Sequence, residues 1–364
     1  TFRERALVAL TAAGDWADEL SAFGDAANHF QRAADLARAD PARRADLLCR
    51  LTRSIGNTGD PAQDAAAEAV GTEAQRLFAE LGDDDGQARA VGLTASLLSG
   101  HGHARKAEEL VRPWWERYRQ RTDADQAVLA LALARVGIHV SGGGTSGIDE
   151  VALLGAKAAE RLGDRPSLVR CLQGFHMGLD LAGYPELAGA VLAGNLAYAQ
   201  RHQMARLTAS LSTSHGSTQM VTDLAIARQA NVSALHGHRE IKNHNGIVVT
   251  TYNLAVIAFQ RGAWSELDDL TADPDQLGFL AAVVDGFATL TRLARGQATA
   301  PVDTDAVTDD PTSHATLRVI EAIRTGVGGA QARGAALDAA TELHSSMGIG
   351  EEFCTAYEIG RAHV

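Results

Sequence analysis

The residues able to do chemistry fall in a few short segments. Residues 142–147, GGGTSG, follow an apolar run and precede a helical pattern, the setting of a phosphate cradle. A P-loop needs G-x-x-x-x-G-K-[ST]; here Gly147 is followed by Ile148 and Asp149, so the lysine is missing and an acid stands nearby. Glycine is the usual helix stop, and a hairpin turn is the expected reading. His101-x-His103 and His236-x-His238, with His244 close by, suggest metal ligands. Zinc takes three or four ligands of Cys, His or carboxylate type; no cysteine lies near these pairs in sequence, and HExxH is absent. Both pairs fall at expected turns and read as solvated polar groups.

Arg105, Lys106, Arg112, Arg117, Arg119 and Arg121 interleave with Trp114, Trp115 and Tyr118, a composition that can stack bases and bind phosphates. Glu108, Glu109 and Glu116 sit among these cations, so the expected reading is a helix face whose long side chains lie along apolar surface, with the tryptophans packed on the next repeat. Ser214-His215 lacks a G-x-S-x-G elbow and an assignable acid, and reads as a helix end. Asp83–Asp85 and Asp268-Asp269 read as exposed acids at turns and helix ends. No catalytic residue, metal ligand or cofactor site is assigned.

The elements that must position these residues are helices. Hydrophobic residues make up 46% of the 364, but only 5% are aromatic and much of the rest is alanine, the best helix former. Alternating β-branched runs are absent, which argues against a large sheet. The clearest stretch is residues 163–203. Asp164 can cap a helix by accepting from its free N–H groups, and Pro166 sits in the first turn. Leu168, Leu172, Phe175 and Leu179 then recur at i, i+4, i+7 and i+11. Gly183 stops that helix and Pro185 starts the next, whose stripe is Leu187, Val191, Leu192, Leu196 and Ala199, with Ala188 beside it.

One such hairpin cannot bury its stripes alone and needs copies on both sides. The chain supplies them. A helix is expected over residues 1–13, closed by Gly14-Asp15, and another from near Trp16; Asp40-Pro41 restarts the pattern and Gly59-Asp60-Pro61 turns it. Later hairpins start near Asp83, Asp123, Asp164, Met204 and His244, a spacing of roughly 40 residues, close to a helical-pair repeat. Residues 276–295 form one apolar helix, 297–311 an acidic linker with Pro301 and Pro311, and 314–325 with 331–347 a last pair.

The formal charge of −12 disfavours a nucleic-acid surface, since phosphate contacts need Lys and Arg. Cys49, Cys171 and Cys354 lie far apart within helical patterns and suggest buried thiols in a reducing cytosol. No apolar run reaches the roughly 18 residues of a membrane span. The last seven residues, EIGRAHV, resemble a translated sequencing adapter, so 358–364 is set apart as an artefact and both ends are expected to be open.

Three segments carry a tetratricopeptide (TPR) pattern of small and large residues. These are Phe23, Ala26, Phe30 and Ala33; Gly183, Ala188 and Leu192; and Leu254, Ala255, Ala258, Gly262 and Trp264, with Leu267 where alanine is usual. Together with the phrases FGDAANHFQRAADLARADPARRADLL, AAERLGDRPSLVRCLQG and YNLAVIAFQRGAWSEL, they make residues 1–271 resemble the TPR-like region of large actinobacterial regulators. In those proteins an ATPase module of the signal-transducing STAND type precedes the repeats. Some members also carry a nucleotide cyclase, and others end in a LuxR-type DNA-binding domain. The resemblance implies an all-α fold, an α-α superhelix built as a TPR-like solenoid of antiparallel helix pairs. Residues 272–357 would add terminal helices and the acidic linker.

It also implies a non-catalytic, cytoplasmic interaction or sensor module that binds its own ATPase or output domains, another protein or a small-molecule signal. No membrane and no direct nucleic-acid contact by this region are expected. The competing reading is a self-contained all-helical enzyme. In TPR arrays the first helix of each pair generally lines the concave surface. By that analogy Arg170, Gln173, His176, Tyr252 and Asn253 are candidates for partner binding, against the alternative of an ordinary solvated face.

Overall fold

The computed structural model describes residues 2–58, 63–140, 147–220, 222–272, 277, 280–303, 317, 318, 320, 321, 324 and 325. Among these there are helices and no strands, so the chain is all-α. The helices are α1 (Phe2–Glu19), α2 (Phe23–Leu36), α3 (Pro41–Thr58), α4 (Asp64–Leu81), α5 (Asp84–Gly100), α6 (Ala104–Tyr118), α7 (Asp125–Val140), α8 (Ile148–Leu162), α9 (Arg165–Leu181), α10 (Pro185–Arg201), α11 (Ala205–Gln219), α12 (Leu224–Glu240), α13 (His244–Gln260), α14 (Trp264–Thr271) and α15 (Ala281–Ala294). In the first unit the helices from α1 to α8 each pack on the next, with α3 also on α5 and α5 on α7; in the second the helices from α10 to α15 do the same, with α11 also on α13. That is the expected α-α superhelical, TPR-like class, in which each helix buries its stripe against the next.

The chain divides into two compact units. The first holds α1–α8, α9 as far as Met177, and Ile241–Asn243; the second holds the end of α9, α10–α12 and α13–α15. In the first, one core gathers Leu7, Phe30, Leu47, Leu51 and Phe78, and another gathers Val111, Trp115, Tyr118, Leu131 and Ile138. In the second, a core forms from Ala258, Leu267, Val283, Val284 and Phe287. Small residues set the helix separations. At Gly92 an added Cβ would lie 2.5 Å from the Ala130 carbonyl carbon, so α5 and α7 touch backbone to backbone there.

Within each unit arginines tie one repeat to another. Arg50 reaches Asp15, Arg53 reaches Asp18, Arg89 reaches Asp46 and Arg161 reaches Asp125 in the first unit, and Arg228 reaches Glu266 in the second. Each link spans about one repeat of sequence. Exposed pairs of this kind contribute roughly 0–1 kcal/mol each, so they fix register more than they add stability.

Several helix limits follow the punctuation of the sequence. Asp164 accepts from the Ser167 N–H at 3.1 Å, Gly82, Gly163 and Gly183 take the left-handed conformation after helices, and Pro185 opens α10. Others do not. Gly14 does not end α1; it lies buried inside the helix, where a Cβ would meet the Phe30 ring at 2.6 Å. The turn comes at Ser21, a non-glycine residue with φ 59°, and α2 starts at Phe23 instead of near Trp16.

The stripe of α9 is displaced: Val169 and Cys171 are fully buried, Leu179 is buried, but Leu168, Leu172 and Phe175 are only half-buried. In α10, Ala188, Leu192, Asn195 and Ala199 face inward and Leu187 is 54% exposed. Cys49 and Cys171 are buried free thiols, as expected, and burial pushes them up to about 11 and about 12. Of the expected last helix pair, residues 317, 318, 320, 321, 324 and 325 are described and helical, with Leu317 and Ile320 buried in the second unit's core; the turn at 59–62, the glycines at 142–144, the second helix at 331–347, Cys354 and residues 358–364 lie outside the described residues. No described helix is long and apolar enough to cross a membrane.

Candidate functional site

The polar residues of the second unit concentrate on α11, α12 and α13. α11, ARLTASLSTSHGSTQ, is rich in hydroxyls, and a helix can bury them because each returns its proton to its own backbone. Ser212 donates to the Thr208 carbonyl at 2.9 Å, Thr213 to Ala209 at 3.2 Å, Ser217 to Thr213 at 3.1 Å and Thr218 to Ser214 at 3.0 Å. Helical spacing then sorts the side chains. Thr213 and Gly216 turn inward, while Ser212 and His215 turn out. On α12, Ala227, Asn231, Ala234 and His238 turn inward, while Ile226, Gln229 and Ser233 turn out.

The inward set forms a continuous seam. Thr213 Oγ1 lies 3.2 Å from His238 Nε2 and 3.0 Å from Thr250 Oγ1. The Thr213 hydroxyl also reaches the Ala209 carbonyl, so this one oxygen joins α11 to both the His238 ring and Thr250. Asn253 Nδ2 donates to Ser217 Oγ at 2.9 Å and to Asn231 Oδ1 at 3.1 Å, and Asn231 Nδ2 donates to the Ala227 carbonyl at 2.9 Å. His238 is only 1% exposed; burial first, and Arg206 second, lower its pKa to about 4, so the ring is neutral near pH 7. Gly246 makes room for it, since a Cβ there would lie 2.2 Å from Nδ1.

The outward set lines an open groove of about 360 Å³ between α11 and α12, formed by Ser212, His215, Ile226, Gln229, Ala230 and Ser233. Its lining is mixed, with an apolar rim at Ile226, two hydroxyls, an amide and an imidazole. Such a surface offers shape and hydrogen bonds to a ligand. His238 is enclosed by the packing of its helices and does not line the groove.

The five partner-binding candidates are placed on both units. Arg170 is half-buried in the first, where its guanidinium donates to Asn57 Oδ1 at 3.2 Å, and burial, with Arg53 nearby, lowers its pKa. Gln173 is half-buried and His176 is 2% exposed, so the imidazole is core, not groove lining. Tyr252 packs in the second unit's core, 6.4 Å from the Phe287 ring. Asn253 is 4% exposed and belongs to the seam. Polar residues recurring on a first helix carry the same signal whether they face solvent or turn inward; His176 is buried and Asn253 bonds to neighbouring helices.

The other chemical candidates resolve differently from one another. His236 and His238 lie within α12, not in a turn; His236 points to solvent beside Glu240 while His238 is buried. His101 is buried at the end of α5 and His103 precedes α6. Among the described residues, no group of three or more His, Cys, Asp or Glu side chains is arranged to hold a metal. Ser214 and His215 lie within α11, and only His215 lines the groove. Of the glycine segment, only Gly147 is described; it precedes α8 in the left-handed conformation at φ 80°.

The basic-aromatic helix α6 turns its cations onto acids of its own unit. Arg117 pairs with Asp84, Arg121 with Asp85 and Asp123, Lys106 with Glu68 and Arg112 with Glu108. Trp115 and Tyr118 are buried, and the Tyr118 hydroxyl donates to Asp85 at 2.8 Å. The acids at the start of α5 therefore do two jobs. Asp83 caps the helix through the Gly86 N–H, and Asp84 and Asp85 anchor α6.

In comparisons with known protein families and with curated proteins, no family model and no curated protein matches the chain.

Proposed function

We propose that the chain is a non-catalytic helical-repeat interaction or sensor module of a cytoplasmic multidomain regulator. It binds a protein partner or a small-molecule signal and thereby controls an attached ATPase and an output domain, either a LuxR-type DNA binder or a nucleotide cyclase. The fold class supports the reading, because stacked helix pairs present extended surfaces and couple mainly to their neighbours. The observation that carries it is the α11–α12 groove, a mixed polar and apolar surface backed by a seam whose buried groups are bonded to one another. A seam of that kind holds the groove residues in fixed positions without offering a reacting atom to them. The acidic total and the internally paired cations of α6 favour a protein or small molecule over nucleic acid.

The test is a binding measurement between the chain and the ATPase module of its parent protein. Combined His215→Ala and Gln229→Ala substitutions are expected to weaken binding at least about tenfold, the scale of one lost polar anchor, with helicity unchanged. Unaltered affinity in a folded double variant would remove the groove from the contact surface.

A further inference from the structure

The outer face of α1 is apolar although it faces solvent. Phe2 is 90% exposed, Trp16 64%, Leu20 63% and Val8 53%, the four most exposed large apolar side chains among the described residues of the first unit. Four of the six charges of α1 are held within the unit. Arg3 donates to the Leu36 carbonyl at 2.8 Å, Glu4 pairs with Arg43 at 2.6 Å, Asp15 with Arg50 at 2.5 Å and Asp18 with Arg53 at 2.8 Å, all within the unit. Arg5 and Glu19 are the remaining two, and both are exposed beside the apolar side chains.

Arg5, Val8, Ala12, Trp16 and Glu19 are separated by three, four, four and three residues. That is helical spacing, so they form one stripe. The series is also palindromic about Ala12, in spacing and in chemical type: charge, apolar, small, apolar, opposite charge. A stripe meeting an unrelated partner has no need of this symmetry. A stripe meeting itself does, because a two-fold contact must be self-complementary.

We infer that α1 is a self-association surface, pairing antiparallel with α1 of a second copy of this chain about a two-fold axis through Ala12. In that pairing Glu19 of the second copy meets Arg5, and its Trp16 meets Val8, at both ends of the contact. Ala12, with Ala9 beside it, lies at the axis, where small side chains let two helices approach to about 8–10 Å. The apolar stripe supplies the affinity, and the two rim ion pairs fix direction and register.

The experiment measures the mass of the full chain by light scattering and sedimentation across a concentration series. The expected result is concentration-dependent growth towards twice 38.3 kDa. Arg5→Glu and Glu19→Arg, each alone, place like charges together and are expected to weaken the dimer about tenfold or more, whereas the Arg5→Glu/Glu19→Arg double variant restores it to within about threefold. Ala12→Arg is expected to give a monomer with unchanged circular dichroism. If Ala12→Arg disturbs folding, the charge reversals decide alone, because both positions are exposed. A wild-type chain that stays monomeric at about 100 µM, well above the Kd of a standard specific interface, overturns the inference. So does a double reversal no better than either single one, which would assign the stripe to a preceding segment or a different partner.

Discussion

Asn253 on α13 and Asn231 on α12 share a hydrogen bond of 3.1 Å, and both are almost fully buried. The same Asn253 amide nitrogen donates to Ser217 on α11, so one side chain joins three successive helices. Asn253→Ala would leave the Asn231 carbonyl oxygen and the Ser217 hydroxyl without that donor in a water-poor interior. The expected loss is about 1–3 kcal/mol in denaturant unfolding. An unchanged midpoint would show that the three-helix link does not hold the second unit together.

Gly92 offers a harsher test of packing. The nearest atoms to an added methyl belong to the backbone of Ala130 and Leu131, which cannot rotate away as a side chain can. Gly92→Ala raises intrinsic helix propensity by up to about 1 kcal/mol, so an exposed site would gain stability. Here the separation of α5 from α7 should outweigh that gain, leaving the variant about 1–3 kcal/mol less stable. A more stable variant would mean that the two helices are not in backbone contact.

The existence and order of the helices were legible because glycine and proline punctuate the chain at Pro41, Gly82, Gly163, Gly183 and Pro185, where a fixed φ or a left-handed turn is needed. Their faces were less so. Gly14 carries the residue type of a helix stop yet serves as a slot for Phe30, and that aromatic lies sixteen residues on. Ser21, Gln203 and Lys242 turn left-handed with no residue signal for it. In α9 and in the alanine-rich α10 the apolar and small residues run around much of the circumference, so the period does not choose one side. The seam was hidden for a related reason, since Thr213, Asn231, His238 and Asn253 become a cluster only when the helices are paired.

The rotated face of α9 leads to a direct comparison. Val169 is fully buried, whereas Leu172, the larger side chain and a member of the obvious stripe, is half-buried. Ordinary side-chain size predicts a larger effect for Leu172→Ala. Burial predicts the reverse, with Val169→Ala costing about 1–3 kcal/mol and Leu172→Ala less. Chemical denaturation of the two variants separates these, and a larger loss at Leu172 would restore the stripe read from spacing.

Acidification should act through two buried histidines. In α7, burial and Arg135 lower the His139 pKa to about 4; in α12, burial and Arg206 do the same to His238. Above their ordinary value of 6.5 both rings are neutral in folded and unfolded chains, and pH has no purchase on them. Between 6.5 and about 4 the unfolded chain binds protons that the folded chain refuses, so stability falls as pH falls through that window. The full loss is on the order of 3 kcal/mol per histidine. Carboxylates lowered by arginine, such as Asp125 beside Arg161, add their own loss only below it. Unfolding midpoints measured from pH 7.5 to 4.5 should therefore hold level and then drop below about 6.5. His238→Gln should start less stable at pH 7.5, because Thr213 loses its ring partner, and should then fall less steeply. A wild-type profile that stays flat across the window, or a variant with the same slope as the wild type, would mean that His238 is not neutral and enclosed between α11, α12 and α13.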